Sequence, residues 1–478
     1  MLTNRIITFI NVFILLLAFY VGIFYESIFA LGVSIIYVLV IQLVCFLTKK
    51  DTSVCKFIIT IYLQIVGPIE ILFVKITPIS VIGYSYLKFS GLLEDSSLLW
   101  KYVLYSLLFY LLLVLVFELL SYKKKTIQPI ERFSAIHCSP NDYIKNNKRF
   151  KFIPVYLWAF AVVFSIGYYF LRITYYLDVP GKNPLINYAG VIVYIFSFVK
   201  ILILYKGLDF IAKKSSINFL SLLQGIVFII VVNFSDILLD RRSSVFYSLI
   251  IFVFYIYVMK KYSLTSFLKK HWLLTIFGIF AIFGIFSFWT ENVRYSNTEN
   301  QVSYLYLFSR LVGLMPGLIC LNYFGDFQNI KGFSIGDFFN NAFGARTDSI
   351  NKIFTYEILN YPTTAIHRSA VPLFIGSLFY ENVLGFVLFA VLFGAIFALS
   401  QRLIVSEQPI SYANKHLNEG NAFIGCYITV YALFAIMNGN GEQLIDLFVI
   451  PLMFLVYNYV ISLFAIKGVS YYAKLSNK

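Results

Sequence analysis

Charged residues are scarce in this chain of 478 residues, of which Asp, Glu, Lys and Arg make up only 13%. A soluble chain carries about a quarter charged residues, so the composition excludes an ordinary soluble domain. Apolar residues make up 60% of the chain. They recur in runs of about twenty, which is the length of a transmembrane helix. Because backbone polar groups in lipid need internal partners, the runs predict an all-α polytopic membrane protein.

Cysteine is rare as well, and the five cysteines share no close spacing. That pattern gives no sign of a disulfide framework or a zinc site. The sequence also lacks a Gly-rich phosphate loop, a kinase signature and a nucleophile elbow. Since no Asp-x-Asp or Asp-x-Glu pair occurs on the predicted outer face, we expect neither a catalytic metal nor a cofactor.

The net charge of +15 comes from Lys and Arg crowded into short loops between the apolar runs. It does not indicate nucleic-acid binding, because the chain has no soluble basic domain. A single alternation of loops satisfies the positive-inside rule when both termini are cytoplasmic, and it gives about 12 transmembrane helices. The predicted spans are 5–23, 28–48, 57–75, 99–121, 153–172, 188–205, 217–235, 244–259, 272–289, 378–400, 422–437 and 444–466.

This topology divides the chain into three parts. Residues 1–289 hold the first nine spans, residues 290–377 form a long external loop, and residues 378–478 hold the last three spans and a cytoplasmic C-terminus. The loop contains the apolar stretch YLYLFSRLVGLMPGLICLNYF, which is interrupted by Arg310 and Pro316. We expect short re-entrant or membrane-surface helices there rather than a complete span.

Two arginines stand between apolar runs in FSDILLDRRSSVFYSLIIFVFY, on the predicted outer face. Ser243 and Ser244 follow them as candidate N-caps of the next helix, whose unpaired N–H groups and positive dipole end face outward. Together with the guanidinium forks of Arg241 and Arg242, they predict a polyanion site at headgroup depth. The alternative is a pair of snorkelling arginines that contact lipid phosphates, with Asp240 as their partner.

Other polar residues of the predicted outer face are candidates for the same site. Burial of Arg310 in lipid would cost roughly 2.5–3.5 kcal/mol, so it faces a polar cavity or an anion, or pairs with a carboxylate such as Asp326. His367, beside Arg368, can move a proton near neutral pH, although a lone loop histidine is more often inert. Glu381 begins a predicted helix, where its charge also favours the helix dipole. The outer set also includes three arginines that bind substrate or stand as solvated charges: Arg172, Arg294 and Arg346.

The layout of spans, a long late outer loop, outer arginines and no metal motif resembles the Wzy-type O-antigen and capsule repeat-unit polymerases. The best local match is VPLFIGSLFYENVLGFVLFAVLFGAIFAL, residues 371–399. Ser377 stands where family members often carry an acid after the first glycine. A second match is LLDRRSSVFYSLIIF, in which Asp240 replaces a small residue. The matching residues of the first segment are Gly376, Tyr380, Glu381, Asn382, Gly385 and Gly394.

The resemblance implies a metal-independent GT-C-like glycosyltransferase at the outer face of the bacterial inner membrane, making O-antigen or capsule polymer. Donor and acceptor are glycans linked to undecaprenyl pyrophosphate, and arginines stabilise the leaving pyrophosphate. Membrane lipid and a chain-length regulator protein are the expected partners. The implied pyrophosphate-binding residues are Arg241, Arg242, Ser243, Ser244 and Arg310. The implied catalytic residues are His367 as first candidate base, Glu381 as second, and Arg368.

Three other functions fit the same sequence, and one of them is a non-enzymatic assembly protein. A polysaccharide flippase or another transporter would show charged residues within the spans or paired broken helices. The spans hold few ionisable residues, and Lys200 lies near the inner end of its span, where it can snorkel to the surface. An O-antigen ligase-like transferase would share the layout and use a different acceptor.

Overall fold

The structure is a computed structural model, and the part of the chain that it describes is almost entirely helical, with no strand. The described residues are 2–48, 91–121, 152–176, 186–213, 218–238, 243–259, 314–327, 334–337, 371–380, 382–404, 412–438 and 447–461, with isolated residues 55, 59, 60, 71, 89 and 354.

Thirteen α-helices are used below, numbered in chain order over the described residues. They are α1 (Leu2–Phe24), α2 (Ile28–Thr48), α3 (Ser96–Ser121), α4 (Val155–Tyr176), α5 (Ile186–Ala212), α6 (Phe219–Val232), α7 (Phe234–Leu238), α8 (Ser243–Met259), α9 (Leu314–Phe327), α10 (Leu373–Gly376), α11 (Val383–Ile404), α12 (Tyr412–Asn438) and α13 (Leu447–Ile461). A 3₁₀ turn, Ser377–Phe379, follows α10.

The helices follow the apolar runs of the sequence. Ten of the predicted spans overlap a described helix, while the spans at 57–75 and 272–289 fall almost wholly outside the described residues. The all-α prediction is therefore confirmed for this part of the chain. The predicted span 188–205 was too short, since α5 continues to Ala212.

Three helical segments are long and apolar enough to cross a membrane, counting only residues that the structure describes. They are Ser96–Ser121, Val383–Ile404 and Glu419–Met437, and the other apolar helices in that count are shorter. These lengths are consistent with a membrane protein. The number of twelve spans stays a prediction.

Large apolar side chains point outward on many of these helices. On α4, for example, Val155 is 82% exposed and Val163 is 68% exposed. On α13, Leu452 is 64% exposed. Contiguous apolar faces of this kind are rare on soluble monomers, because water penalises them, whereas lipid tails do not. The outward faces agree with helices that contact lipid.

The first of two compact units contains residues 1–125, 276–398 and 432–445. In it, α1 packs against α2 and α3, and α9 and α10 both pack against α3. The ring of buried Tyr102 meets Phe374 edge-on, with centroids 5.2 Å apart, and also lies against Gly317 of α9. Tyr110 shares a hydrogen bond of 2.9 Å with Thr60.

Within the predicted external loop, the structure describes α9, the short stretch 334–337, Phe354 and residues 371–377, which include α10. The 14 residues of α9 reach about 21 Å, less than the roughly 30 Å of a hydrocarbon core. Pro316 is its third residue, a place in the first turn where a missing N–H costs little. The proline therefore lies at the start of this helix instead of breaking it. Arg310 lies outside the described residues.

The second unit contains residues 126–275, 399–431 and 446–478. Helix α5 packs against α4, α6 and α8, and α6 packs against α4 and α8. The buried ring of Tyr205 lies between Phe423 and Phe454, with centroids 5.1 and 5.2 Å away. The two units are defined by which residues pack together, whereas the three predicted parts are defined by the side of the membrane. The units therefore do not test the predicted divisions at 289 and 377, which stay predictions.

Helices α5 and α6 meet at a glycine. A Cβ placed on Gly207 would overlap the buried ring of Phe228, whereas a Cβ on Gly167 of α4 would meet nothing within 4 Å. We expect Gly207→Ala to lower the free energy of unfolding by about 1–3 kcal/mol through overpacking. Gly167→Ala should raise it by about 0.5–1 kcal/mol, because alanine favours the helix.

The two variants are compared by thermal unfolding of the purified protein in detergent. The expected result is a lower midpoint for Gly207→Ala and an equal or higher one for Gly167→Ala. Equal midpoints for both variants would contradict the close approach of α5 and α6.

Candidate functional site

The predicted seventh span, 217–235, contains an interrupted helix. Helix α6 has 14 residues and ends at Val232. Asn233 leaves the helical conformation, with φ −96° and ψ 9°, and α7 then begins at Phe234. At about 1.5 Å per residue α6 is about 21 Å long, too short to cross a hydrocarbon core of about 30 Å. The interruption therefore lies along the path that a span would take.

Side-chain hydrogen bonds link this interruption to α4 and α8, and the bonds from α4 reach its backbone. The hydroxyl of Ser165 on α4 donates to the carbonyl oxygens of Val231 and Val232, at 2.6 and 3.1 Å. The Nδ2 group of Asn233 donates to Ile229 O at 2.8 Å and to Ser248 Oγ of α8 at 3.2 Å. Backbone carbonyls freed at a helix end are costly in an apolar interior, so these bonds make the interruption tolerable.

A buried ion pair lies three residues further on. Lys200 Nζ of α5 donates a hydrogen bond to Asp236 Oδ2 of α7, and the two side chains are 10% and 4% exposed. The prediction that Lys200 snorkels to the inner surface is therefore wrong. α5 extends to Ala212, so Lys200 lies twelve residues before the helix end, and Asp236 offers a nearer partner than the headgroups.

Two polar atoms beside this pair have no hydrogen-bond partner within the described part of the chain. They are Asn233 Oδ1 and Ser235 Oγ, and both residues are 0% exposed. Since Asn233 Nδ2 already donates to a carbonyl oxygen, the amide oxygen is the group left over. Buried polar groups in native proteins usually have partners, so unpartnered ones mark a place where something else is bonded or something moves.

Helix α8 begins at Ser243, directly after Arg241 and Arg242 in the sequence. This agrees with the predicted helix start, although Ser243 and Ser244 belong to the first turn instead of preceding it. Ser244 O accepts a hydrogen bond of 2.8 Å from the hydroxyl of Ser248. Because Ser248 also accepts from Asn233, the first turns of α8 are joined to the interruption of the preceding helix.

The segment that resembles the polymerase motif lies in the first unit. Residues 371–378 and Tyr380 are buried, and Asn382 has a φ of +56°, a left-handed conformation that asparagine tolerates better than most residues. A Cβ on Gly385 would overlap the carbonyl oxygen of Tyr380. A Cβ on Gly394 would lie 2.8 Å from Leu113 O of α3. These matching residues therefore have packing reasons for their identity.

The other predicted site residues lie outside the described part of the chain, apart from Arg172. Arg172 is in α4, but its side chain is not described. The remaining predicted residues outside the described ranges are Arg241, Arg242, Arg294, Arg310, Arg346, His367, Arg368 and Glu381. Their roles stay predictions. Among the described residues, no group of three or more His, Cys, Asp and Glu is placed to hold a metal ion.

A second ionic cluster joins α5 to α12 in the second unit. Lys213 Nζ lies 2.6 Å from Asp209 Oδ2 and 2.8 Å from Glu419 Oε2, and Tyr255 donates to Asp209 Oδ1 at 3.1 Å. Burial lowers the pKa of Lys213, but the charges of Asp209 and Glu419 and their hydrogen bonds together raise it further, above its usual value. This lysine stays protonated throughout the physiological range.

Sequence reasoning missed both ionic clusters. Lys200 and Asp236 each interrupt an apolar run, and an ionisable residue in a span predicts a partner. That signal identifies the two residues but does not pair them, because 36 positions separate them in the chain.

Comparisons of the chain with protein-family models, with curated proteins and with solved structures match none of them.

Loss of the Lys213 charge removes one cation from Asp209 and Glu419. We expect Lys213→Met to lower the free energy of unfolding on the order of 1 kcal/mol, since Lys213 is 37% exposed and water screens the pair. A lysine whose pKa is higher in the folded than in the unfolded state contributes its full stabilisation at any pH below the unfolded-state pKa, about 10.4. That contribution is lost only as the pH rises through the folded-state pKa. The deficit should therefore be equal at pH 6 and pH 9.

Thermal unfolding of the purified wild type and variant at both pH values measures this deficit. Lys101→Met on α3, an exposed position, is the matched control and should unfold as the wild type does. A deficit that disappears by pH 9 would contradict the raised pKa.

Proposed function

We propose that the chain polymerises undecaprenyl-pyrophosphate-linked oligosaccharide repeat units at the outer face of the bacterial inner membrane. The observation that carries this proposal is the start of α8 at Ser243, immediately after two arginines and joined to a buried polar interruption. A helix N-terminus and two guanidinium groups form an anion site suited to pyrophosphate.

The reaction needs little more than positioning and charge. The acceptor hydroxyl oxygen forms a bond to the anomeric carbon of the donor, and the bond from that carbon to the pyrophosphate oxygen breaks. The electron pair leaves with undecaprenyl pyrophosphate, and the hydroxyl proton passes to a base. Arg241 and Arg242 stabilise the negative charge that develops on the leaving group. His367 is the first candidate for the base and Glu381 the second.

The remaining predicted residues take supporting roles in this proposal. Arg310 and Arg368 add positive charge at the reacting centre, and the outer arginines Arg172, Arg294 and Arg346 bind the glycan. Twelve spans with both termini cytoplasmic put all of these residues on the outer side. A chain-length regulator protein is the proposed partner in the same membrane.

A flippase or another transporter is the second candidate, and one observation favours it. The pair of Lys200 and Asp236 is a charged pair inside an apolar helix group, beside an interrupted helix, as transport pathways often have. The described helices show one such interruption instead of the matched pair that inverted repeats produce. An O-antigen ligase-like transferase shares the proposed chemistry and differs in its acceptor.

Surface glycan from a deletion strain, separated on a gel, distinguishes these functions. We expect the strain to retain a single repeat unit and to lose the long ladder, and we expect the wild-type chain to restore it. A strain that lacks all surface glycan would instead indicate a flippase or a ligase. Arg241→Ala with Arg242→Ala, at normal protein level, should reduce polymerisation by about 10²–10³-fold, as does loss of an oxyanion donor elsewhere.

Lysine at both positions is the matched variant, because it keeps the charge and loses the bidentate fork. We expect it to polymerise more slowly than the wild type and faster than the alanine variant. A full-length ladder made at the normal rate by the double alanine variant would show that the arginines only anchor the chain to lipid.

A further inference from the structure

We propose that Lys200 and Asp236 are positioning residues, whose buried ion pair fixes α7 and thereby places Arg241 and Arg242 for the reaction. The inference rests on the proposed function for its activity readout. The pair lies entirely within the second unit and joins the long helix α5 to the five-residue helix α7.

Helix α7 is too short to be stable by itself. A helix of five residues has barely one hydrogen-bonded turn, which is not stable without outside contacts. It packs against α4, and its backbone N–H at Ile237 donates to Asn233 O at 3.0 Å. Its Asp236 side chain bonds Lys200 of α5, so this ion pair is a charged contact that joins α7 to a neighbouring helix.

The position of α7 sets one end of the connection to α8. Four residues separate its last residue, Leu238, from the first residue of α8, and two of them are Arg241 and Arg242. The other end of that connection is also fixed, since Ser248 of α8 accepts from Asn233. A shift of α7 therefore moves one end of this four-residue connection relative to the first turns of α8, which Ser248 joins to Asn233.

A buried ion pair is a poor way to stabilise a fold. Its desolvation penalty often exceeds its attraction, and apolar residues of similar volume frequently replace it without loss of stability. Its best attested use is to select one arrangement of the chain over others. Asn233 Oδ1 and Ser235 Oγ, in the same segment, are buried without a partner among the described residues, so neither atom adds a hydrogen bond that holds the segment.

The test uses two variants in the full chain. The first replaces the pair by apolar residues, Lys200→Met with Asp236→Leu, and we expect a normal unfolding midpoint with polymerisation reduced by about tenfold to 10²-fold. In other enzymes, a mutation far from the reacting atoms that misplaces a group by about 1 Å can lower the rate by about 10²-fold. The second, Lys200→Arg, keeps the charge pair and the fold but moves the carboxylate, and we expect an intermediate rate.

A second readout does not depend on the reaction. Leu238 is 47% exposed, so a cysteine there, in a chain whose five native cysteines are replaced, reports the position of α7 by its alkylation rate. We expect both variants to change that rate severalfold. Lys213→Met, which removes the other ionic cluster of the same unit, is the matched control and should leave the rate at Leu238→Cys unchanged.

The outcomes separate the two proposals. If neither variant changes alkylation or polymerisation per folded protein, the ion pair is not a positioning element. If the apolar pair fails to fold, Lys200→Arg decides the question, and a normal rate with normal alkylation would overturn the inference. If the wild-type chain does not restore the ladder, the proposed function fails, while changed alkylation in the variants still supports the placement of α7 by the pair.

Discussion

Lipid tails cannot hydrogen-bond to backbone N–H and C=O groups, so these groups need partners within the protein. The rest of this structure depends on that constraint. Where the chain is a regular helix, the backbone satisfies itself. Where the helix is interrupted at Asn233, other side chains must supply the bonds, and Ser165 does so for Val231 and Val232. Arg241 and Arg242 follow eight and nine residues after Asn233 in the sequence.

The same constraint explains why a lysine and an aspartate occur deep in an apolar helix group. A charge there needs a partner of opposite sign. Desolvation of the two charges costs free energy, and the pair holds the two helices in one arrangement. Lys200 and Asp236 fix α5 to α7, while Lys213, Asp209 and Glu419 fix α5 to α12. Asp236 of the first pair lies five residues before Arg241 in the sequence, and the second cluster lies at the C-terminal end of α5. We assign position to the first and stability to the second for that reason.

Much of the fold could be predicted from sequence, because an apolar run of helical length has few other options in a membrane. The start of α8 at Ser243 followed from two serines after two arginines. Contacts between distant residues could not be predicted from one sequence. Nothing in the pattern pairs Lys200 with Asp236, or places Gly207 on the ring of Phe228. The interruption at Asn233 was missed because its neighbours are apolar and no Pro or Gly marks it.

The candidate site could be predicted only in part. For Asn382, Gly385 and Gly394, a left-handed turn and close backbone contacts account for the residue types, so their match to the polymerase motif reports packing. The proposed chemistry belongs to other residues, and above all to Arg241 and Arg242. The proposed polymerase activity can be measured with purified protein in detergent micelles, which cannot support transport, supplied with lipid-linked repeat units and a metal chelator. We expect longer glycans and one released undecaprenyl pyrophosphate for each new bond. The proposal would be contradicted if the purified chain, whose gene restores the ladder in cells, made no glycan longer than a single repeat unit.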